Sequence, residues 1–216
     1  MIIISLCLSP QQRYNGSIKP PLHDFFELSN RVFVKFGWLI SFVPPIALHC
    51  MLTAMVVAKR GNGNMARIDG KFIVRCVCYF LYWAFMTQKF MVNYFDIIAS
   101  RYGTCSNSYF EDRKNCTFNG HSWSSVDVSG HAFLIILNSL FIMEETVLFF
   151  KKCKKAEGRR LKFLYIYGSI IAFFEVLLVV FYNVQLVRTV VYYHTFIENS
   201  IAIMYGAFPW IIFYLL

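Results

Sequence analysis

Five histidines are the side chains of this sequence best suited to chemistry near neutral pH, because imidazole gains and loses its proton there. His23 falls in a polar leader, His49 inside an apolar run and His121 in a cysteine-flanked loop, all positions that suit structural or solvated rings. His131 and His194 differ, since each sits at the edge of an apolar run. Ser129-Gly130-His131 opens one such run, and the free N–H groups of a helix start favour phosphate. Gly130 lets an anion approach the backbone. Arg188 lies six residues before His194 and Glu198 four after it. In a helix that second spacing is one turn, close enough for Glu198 to orient the imidazole, and Arg188 can clamp phosphate oxygens in a fork. The chemistry suggested is an acid and nucleophile pair acting on phosphate.

The elements that must position these residues are set by composition. The chain has 216 residues, 57% hydrophobic and 15% charged, with a mean hydropathy of +0.51. Soluble domains run about 45–50% apolar and about 25% charged, so the excess points to lipid as solvent. Disorder, a coiled coil and a secreted disulfide scaffold are excluded. The 21 Lys+Arg against 12 Asp+Glu fall between apolar runs, as topogenic cations do, and no nucleic-acid binding is expected.

Five apolar runs each read as a membrane span, at about 36–58, 72–95, 131–150, 163–187 and 196–216. They are too long and too little alternating for barrel strands, and helices are the other way to satisfy backbone groups in lipid. The expected fold is an all-α integral membrane protein, a single domain over residues 1–216 with five helices. Pro44 and Pro45 should kink the first. The segment 151–162 carries seven basic residues and one acid, and 59–71 carries Lys59, Arg60, Arg67 and Lys71 against Asp69. Both are expected on the cytoplasmic side. The segments 96–130 and 188–195 then share the opposite side, so the topology puts His131 and His194 at one membrane face.

Cys105 and Cys116 bracket a polar loop on that face, where a disulfide can persist. The sequons at Asn15 and Asn115 fall there too. The apolar MIIISLCL is too short to span, and Arg13, Lys19, Arg31 and Lys35 would lie on the unusual side. A sixth, earlier span is therefore expected. Glu175, at mid-span, is costly in lipid unless protonated or paired. Glu144 and Glu145 lie about 20 Å along the helix from His131 at 1.5 Å per residue, too far to share its phosphate. No zinc, calcium or nucleotide-loop pattern occurs, so neither metal nor cofactor is expected.

Ser129-Gly130-His131, followed by Arg188-x5-His194-x3-Glu198, resembles two motifs of the lipid phosphate phosphatase superfamily. A wider pattern resembles the fat storage-inducing transmembrane family. It comprises Ser29-Asn30-Arg31 through Val34-Lys35-x-x-Trp38, Trp123-x3-Asp127-Val128-Ser129-Gly130-His131-x-Phe133, Met143-Glu144-Glu145 and Tyr192-Tyr193-His194. The likeness covers about residues 24–206. It implies six spans, an endoplasmic reticulum membrane location with a lumenal site, and hydrolysis of fatty acyl-CoA to acyl-4′-phosphopantetheine and adenosine 3′,5′-bisphosphate in support of lipid droplet formation. It maps the two catalytic histidines onto His131 and His194. The alternative it leaves is a non-catalytic binder of di- and triacylglycerol.

The sequence also departs from the superfamily. No Arg-Pro occurs, Val187 stands where serine is expected before Arg188, and Glu198 replaces an aspartate. Lys89 is the candidate substitute for the missing cation, on one helical face with Asn93 and Asp96. Asp127 is expected to cap the third helix or to orient His131.

Overall fold

Chains this apolar must pair their own backbone groups, and helix does so without outside partners. The computed structural model describes residue 37 and residues 39–55, 70–126, 128–153, 159–192 and 194–215. The leader, the first sequon, the Ser29 to Lys35 motif, the cationic segment 59–69, Asp127 and Tyr193 lie outside the described residues.

Helix α1 (Leu39–Met55) runs through both prolines. α2 (Gly70–Phe85) passes through a π-helical segment, Met86–Tyr94, into α3 (Phe95–Tyr102). A small loop domain follows, with β1 (Thr104–Cys105), α4 (Arg113–Phe118) and β2 (Trp123–Ser124). The two strands pair antiparallel, Thr104 opposite Ser124 and Cys105 opposite Trp123. Three long helices complete the described chain: α5 (Gly130–Cys153), α6 (Arg159–Tyr192) and α7 (Phe196–Trp210), the last extended by a π segment, Ile211–Leu215.

Among the described residues, three helical stretches are long and apolar enough to cross a membrane: Gly130–Cys153, Lys162–Val191 and Phe196–Tyr214. Leu39–Met55 is apolar but shorter. The chain is an all-α integral membrane protein. α6 shows why most clearly. It buries Ala172, Glu175, Tyr182 and Leu186 at helical spacing and turns Phe173, Phe174, Leu177 and Val180 outward, an apolar face that water would reject and lipid accepts.

Contacts give the helix directions. Ser41 meets Tyr182 at 2.9 Å, and Met55 at the far end of α1 meets Cys153. On α5 and α7, Gly206 lies against Phe133 and Ile136, while Trp210 reaches Glu144 and Tyr214 reaches Glu145. These two helices therefore run the same way. α6 opposes them, pairing Thr146 with Glu175 and Phe149 with Gly168. A Cβ on Gly206 would stand 2.8 Å from the Phe133 carbonyl, so glycine is what permits this close approach.

The core is aromatic and aliphatic: Tyr79, Phe133, Leu137, Phe141, Tyr182 and Leu186 are almost wholly buried. Its tyrosines use their hydroxyls. Tyr79 donates to the Leu137 carbonyl at 2.7 Å. Pro209 lacks the N–H that would bond the Tyr205 carbonyl. Tyr82 supplies the missing donor at 2.7 Å.

Candidate functional site

His131 owes its place to a helix start. Ser129 is fully buried, and its Oγ accepts the Ala132 N–H at 3.2 Å. The Ser129 carbonyl takes the Phe133 N–H at 3.1 Å. Ser129 thus acts as the N-cap of α5, with its side chain engaged in capping. The N–H groups of Gly130 and His131 stand ahead of the helix's own ladder. The space at Gly130 is open, since a Cβ there would meet nothing within 4 Å. His131 is half-buried one residue inside this end.

His194 is carried by the link between α6 and α7. Its N–H donates to the Thr189 carbonyl at 3.3 Å. Thr195 is the N-cap of α7, and Glu198 reciprocates: the Thr195 N–H donates to Glu198 Oε2 at 2.7 Å, and the Glu198 N–H to Thr195 Oγ1 at 3.4 Å. This capping box fixes both helix and carboxylate. The carboxylate then lies 3.6 Å from His194 Nδ1, close enough to hold that nitrogen's side of the ring.

The start of α5 and the link before α7 lie at one end of the bundle, since α5 and α7 run the same way and α6 opposes them. Arg188 is half-buried, on the last turns of α6 before the His194 link. Lys89 is exposed within the π segment. Its expected alignment with Asn93 and Asp96 assumed the α-helical repeat, and the wider π turn removes that basis. Asp96 instead pairs with Arg113. Among the described residues, no group of three His, Cys, Asp or Glu side chains could hold a metal.

The loop between α3 and α5 sits at the same end. Cys105 and Cys116 are disulfide-bonded, with Cα atoms 5.9 Å apart. Trp123 pins the loop to α3 by donating to the Ala99 carbonyl at 2.8 Å. Gly103 leaves the room that the indole fills, since a Cβ there would collide with it. His121 meets Asn107 at 3.2 Å and stays in the loop.

Away from that end lies a second polar group. Arg75 grips Glu145 with two bonds, at 2.9 and 3.3 Å. Tyr214 donates to the same carboxylate at 2.6 Å, and Trp210 donates to Glu144 at 3.0 Å. Glu175 is 1% exposed and bonded to Thr146. His49 stacks on Phe72 with ring centres 3.8 Å apart.

Sequence reasoning missed Asn199, whose amide bonds the carbonyls of His194 and Thr195 at 3.2 and 2.9 Å. It also missed Thr195 as a cap, although Thr-x-x-Glu is the signature of a capping box.

The family described as fat storage-inducing transmembrane protein matches residues 26–167, a stretch that includes His131 and ends before His194. Acyl-coenzyme A diphosphatase FITM2 of Drosophila melanogaster is 32% identical over 120 residues, covering 55% of this chain and 26% of the relative. Fat storage-inducing transmembrane protein 1 of Homo sapiens is 30% identical over 105 residues, covering 48% and 34%. Acyl-coenzyme A diphosphatase FITM2 of Xenopus tropicalis is 26% identical over 197 residues, covering 86% and 68%. The matches to the Drosophila and human proteins thus span about a quarter to a third of those relatives' length. No solved structure matches.

Proposed function

We infer function from one premise: the chain belongs to the fat storage-inducing transmembrane family, which matches it over residues 26–167. The reading is an acyl-CoA diphosphatase of the endoplasmic reticulum membrane, with its site on the lumenal side, that supports lipid droplet formation and lipid homeostasis. What supports it most is the run of the helices: α5 and α7 run the same way and α6 opposes them, so the start of α5 with His131 and the link with His194 share one end of the bundle. Relatives named acyl-coenzyme A diphosphatase supply the substrate class.

The geometry supports the following chemistry. Glu198 lies on the Nδ1 side of His194, which favours the tautomer with its proton on Nδ1 and a lone pair on Nε2. That nitrogen attacks one phosphorus of the diphosphate. An N–P bond forms, the bridging P–O bond breaks, and His131 gives its proton to the departing oxygen. Water then attacks the phosphorus and returns a proton to His131. The N–P bond breaks and His194 is restored. Gly130 and His131 N–H groups face the developing oxyanion charge, with Arg188 as the candidate cation and Lys89 as a second.

One ring must be neutral while the other is protonated. Turnover therefore peaks between their two proton affinities and falls on either side. The test is turnover of oleoyl-CoA by purified His131→Ala and His194→Ala, each matched to wild type for yield and thermal stability. Loss of hydrolysis in both is expected. Retained turnover in either refutes the pairing, whereas no turnover by wild type, with di- or triacylglycerol binding indifferent to both histidines, favours the second reading, a non-catalytic binder.

A further inference from the structure

His194 belongs to neither helix beside it, and a residue in such a link would swing unless something held it. Its N–H is held by the Thr189 carbonyl of α6 at 3.3 Å, and its ring approaches Glu198. Its own carbonyl lies outside the ladder of α7. We propose that Asn199 is a positioning residue that fixes His194 by donating to that carbonyl. The proposal rests on the reading of His194 as a catalytic residue.

Asn199 Nδ2 donates to the His194 carbonyl at 3.2 Å and to the Thr195 carbonyl at 2.9 Å. The Thr195 carbonyl already receives the Asn199 N–H at 3.1 Å, so the side chain adds little to the helix itself. The His194 carbonyl is where it matters. Asparagine is a poor helix residue, and this one is 2% exposed. Its Oδ1 is buried without a hydrogen-bond partner among the described residues. A buried, unmatched acceptor is a standing cost that leucine at the same place would avoid. Its two donated bonds are what the amide gives in return. Fixing the His194 carbonyl fixes that residue's backbone, hence the direction of its Cα–Cβ bond. The ring is thereby set with Nδ1 toward Glu198.

Asn199→Asp tests this, being isosteric and retaining an acceptor. As a carboxylate it offers the two carbonyls no donor, and once protonated it regains one O–H. Turnover of oleoyl-CoA by the variant is expected to fall at least about tenfold at neutral pH, with KM unchanged. Divided by wild type at each pH, it should recover several-fold toward about pH 4, where an aspartate carboxyl gains its proton. Asn199→Leu should be slow at every pH with no loss of thermal stability. A deficit in Asn199→Asp that does not change with pH overturns the proposal, as does wild-type turnover in Asn199→Leu. Should wild type itself leave acyl-CoA intact, the diphosphatase reading fails separately. Asn199 is then judged by carbethoxylation of His194 relative to His121, followed by mass spectrometry. Several-fold altered labelling in Asn199→Leu supports the proposal, and unaltered labelling overturns it.

Discussion

The two ends of this bundle are held in opposite ways. At the histidine end the polar residues are fixed by their near neighbours: Ser129 caps the helix of His131, and Thr195, Glu198 and Asn199 surround His194 within five residues. Both rings remain half-buried. At the other end the bonds join helices far apart in sequence, with Arg75 and Tyr214 meeting on the buried Glu145. Local fixation leaves a surface free for a ligand, whereas long-range pairing uses its polar groups on each other. The first end suits chemistry and the second suits cohesion. Changes at the first should cost activity, and changes at the second should cost stability.

The sharpest break in that comparison comes from the histidines. His131→Ala and His194→Ala are each expected to lower hydrolysis by at least about 10²–10⁴-fold, with melting temperature in detergent unchanged. A fall in melting temperature equal to that of a core mutant would erase the distinction. Next is Glu145→Ala. It leaves Arg75 half-buried beside a vacancy and should cost about 2–4 kcal/mol of stability, while the fraction that stays folded keeps its turnover. Denaturant titration together with specific activity per folded molecule reads both halves of that statement.

Reduction of the Cys105–Cys116 bond should be milder. The bond closes a short loop, worth about 2–3 kcal/mol by chain entropy, and that cost falls on the loop. Hydrogen exchange over residues 103–126 should rise on reduction while that of α5 and α6 holds. The smallest effect is expected from Tyr82→Phe, which strips the Tyr205 carbonyl of its donor at the Pro209 break. It should lower stability by about 1 kcal/mol with no change in turnover.

What the sequence disclosed follows the same division. Ser129-Gly130-His131 opens a helix, and Glu198 stands one turn from His194, because these relations are fixed by short spacings that any helix respects. The expected runs 131–150 and 163–187 lie within α5 and α6. Arg75, by contrast, reads in the sequence only as an interruption of an apolar run. Its partner is 70 residues away, and no local pattern announces it. The same holds for Ser41 with Tyr182, separated by 141 residues. The expected shared face of Lys89, Asn93 and Asp96 lost its basis for a different reason. The expectation used 3.6 residues per turn, and a π segment at Met86–Tyr94 turns more widely. Asn199 escaped notice because an asparagine within an apolar run looks like tolerated polarity until its donors are located. Glu175 was legible as a buried carboxylate needing a partner, but not that the partner would be Thr146.

The central claim concerns which bond is cut, and product masses test it most directly. Purified wild-type protein incubated with oleoyl-CoA should yield oleoyl-4′-phosphopantetheine and adenosine 3′,5′-bisphosphate in equal amounts, and neither His131→Ala nor His194→Ala should yield either. Free oleate with intact coenzyme A would mean thioester cleavage, and an unchanged substrate would mean no hydrolysis. Either result would contradict the account.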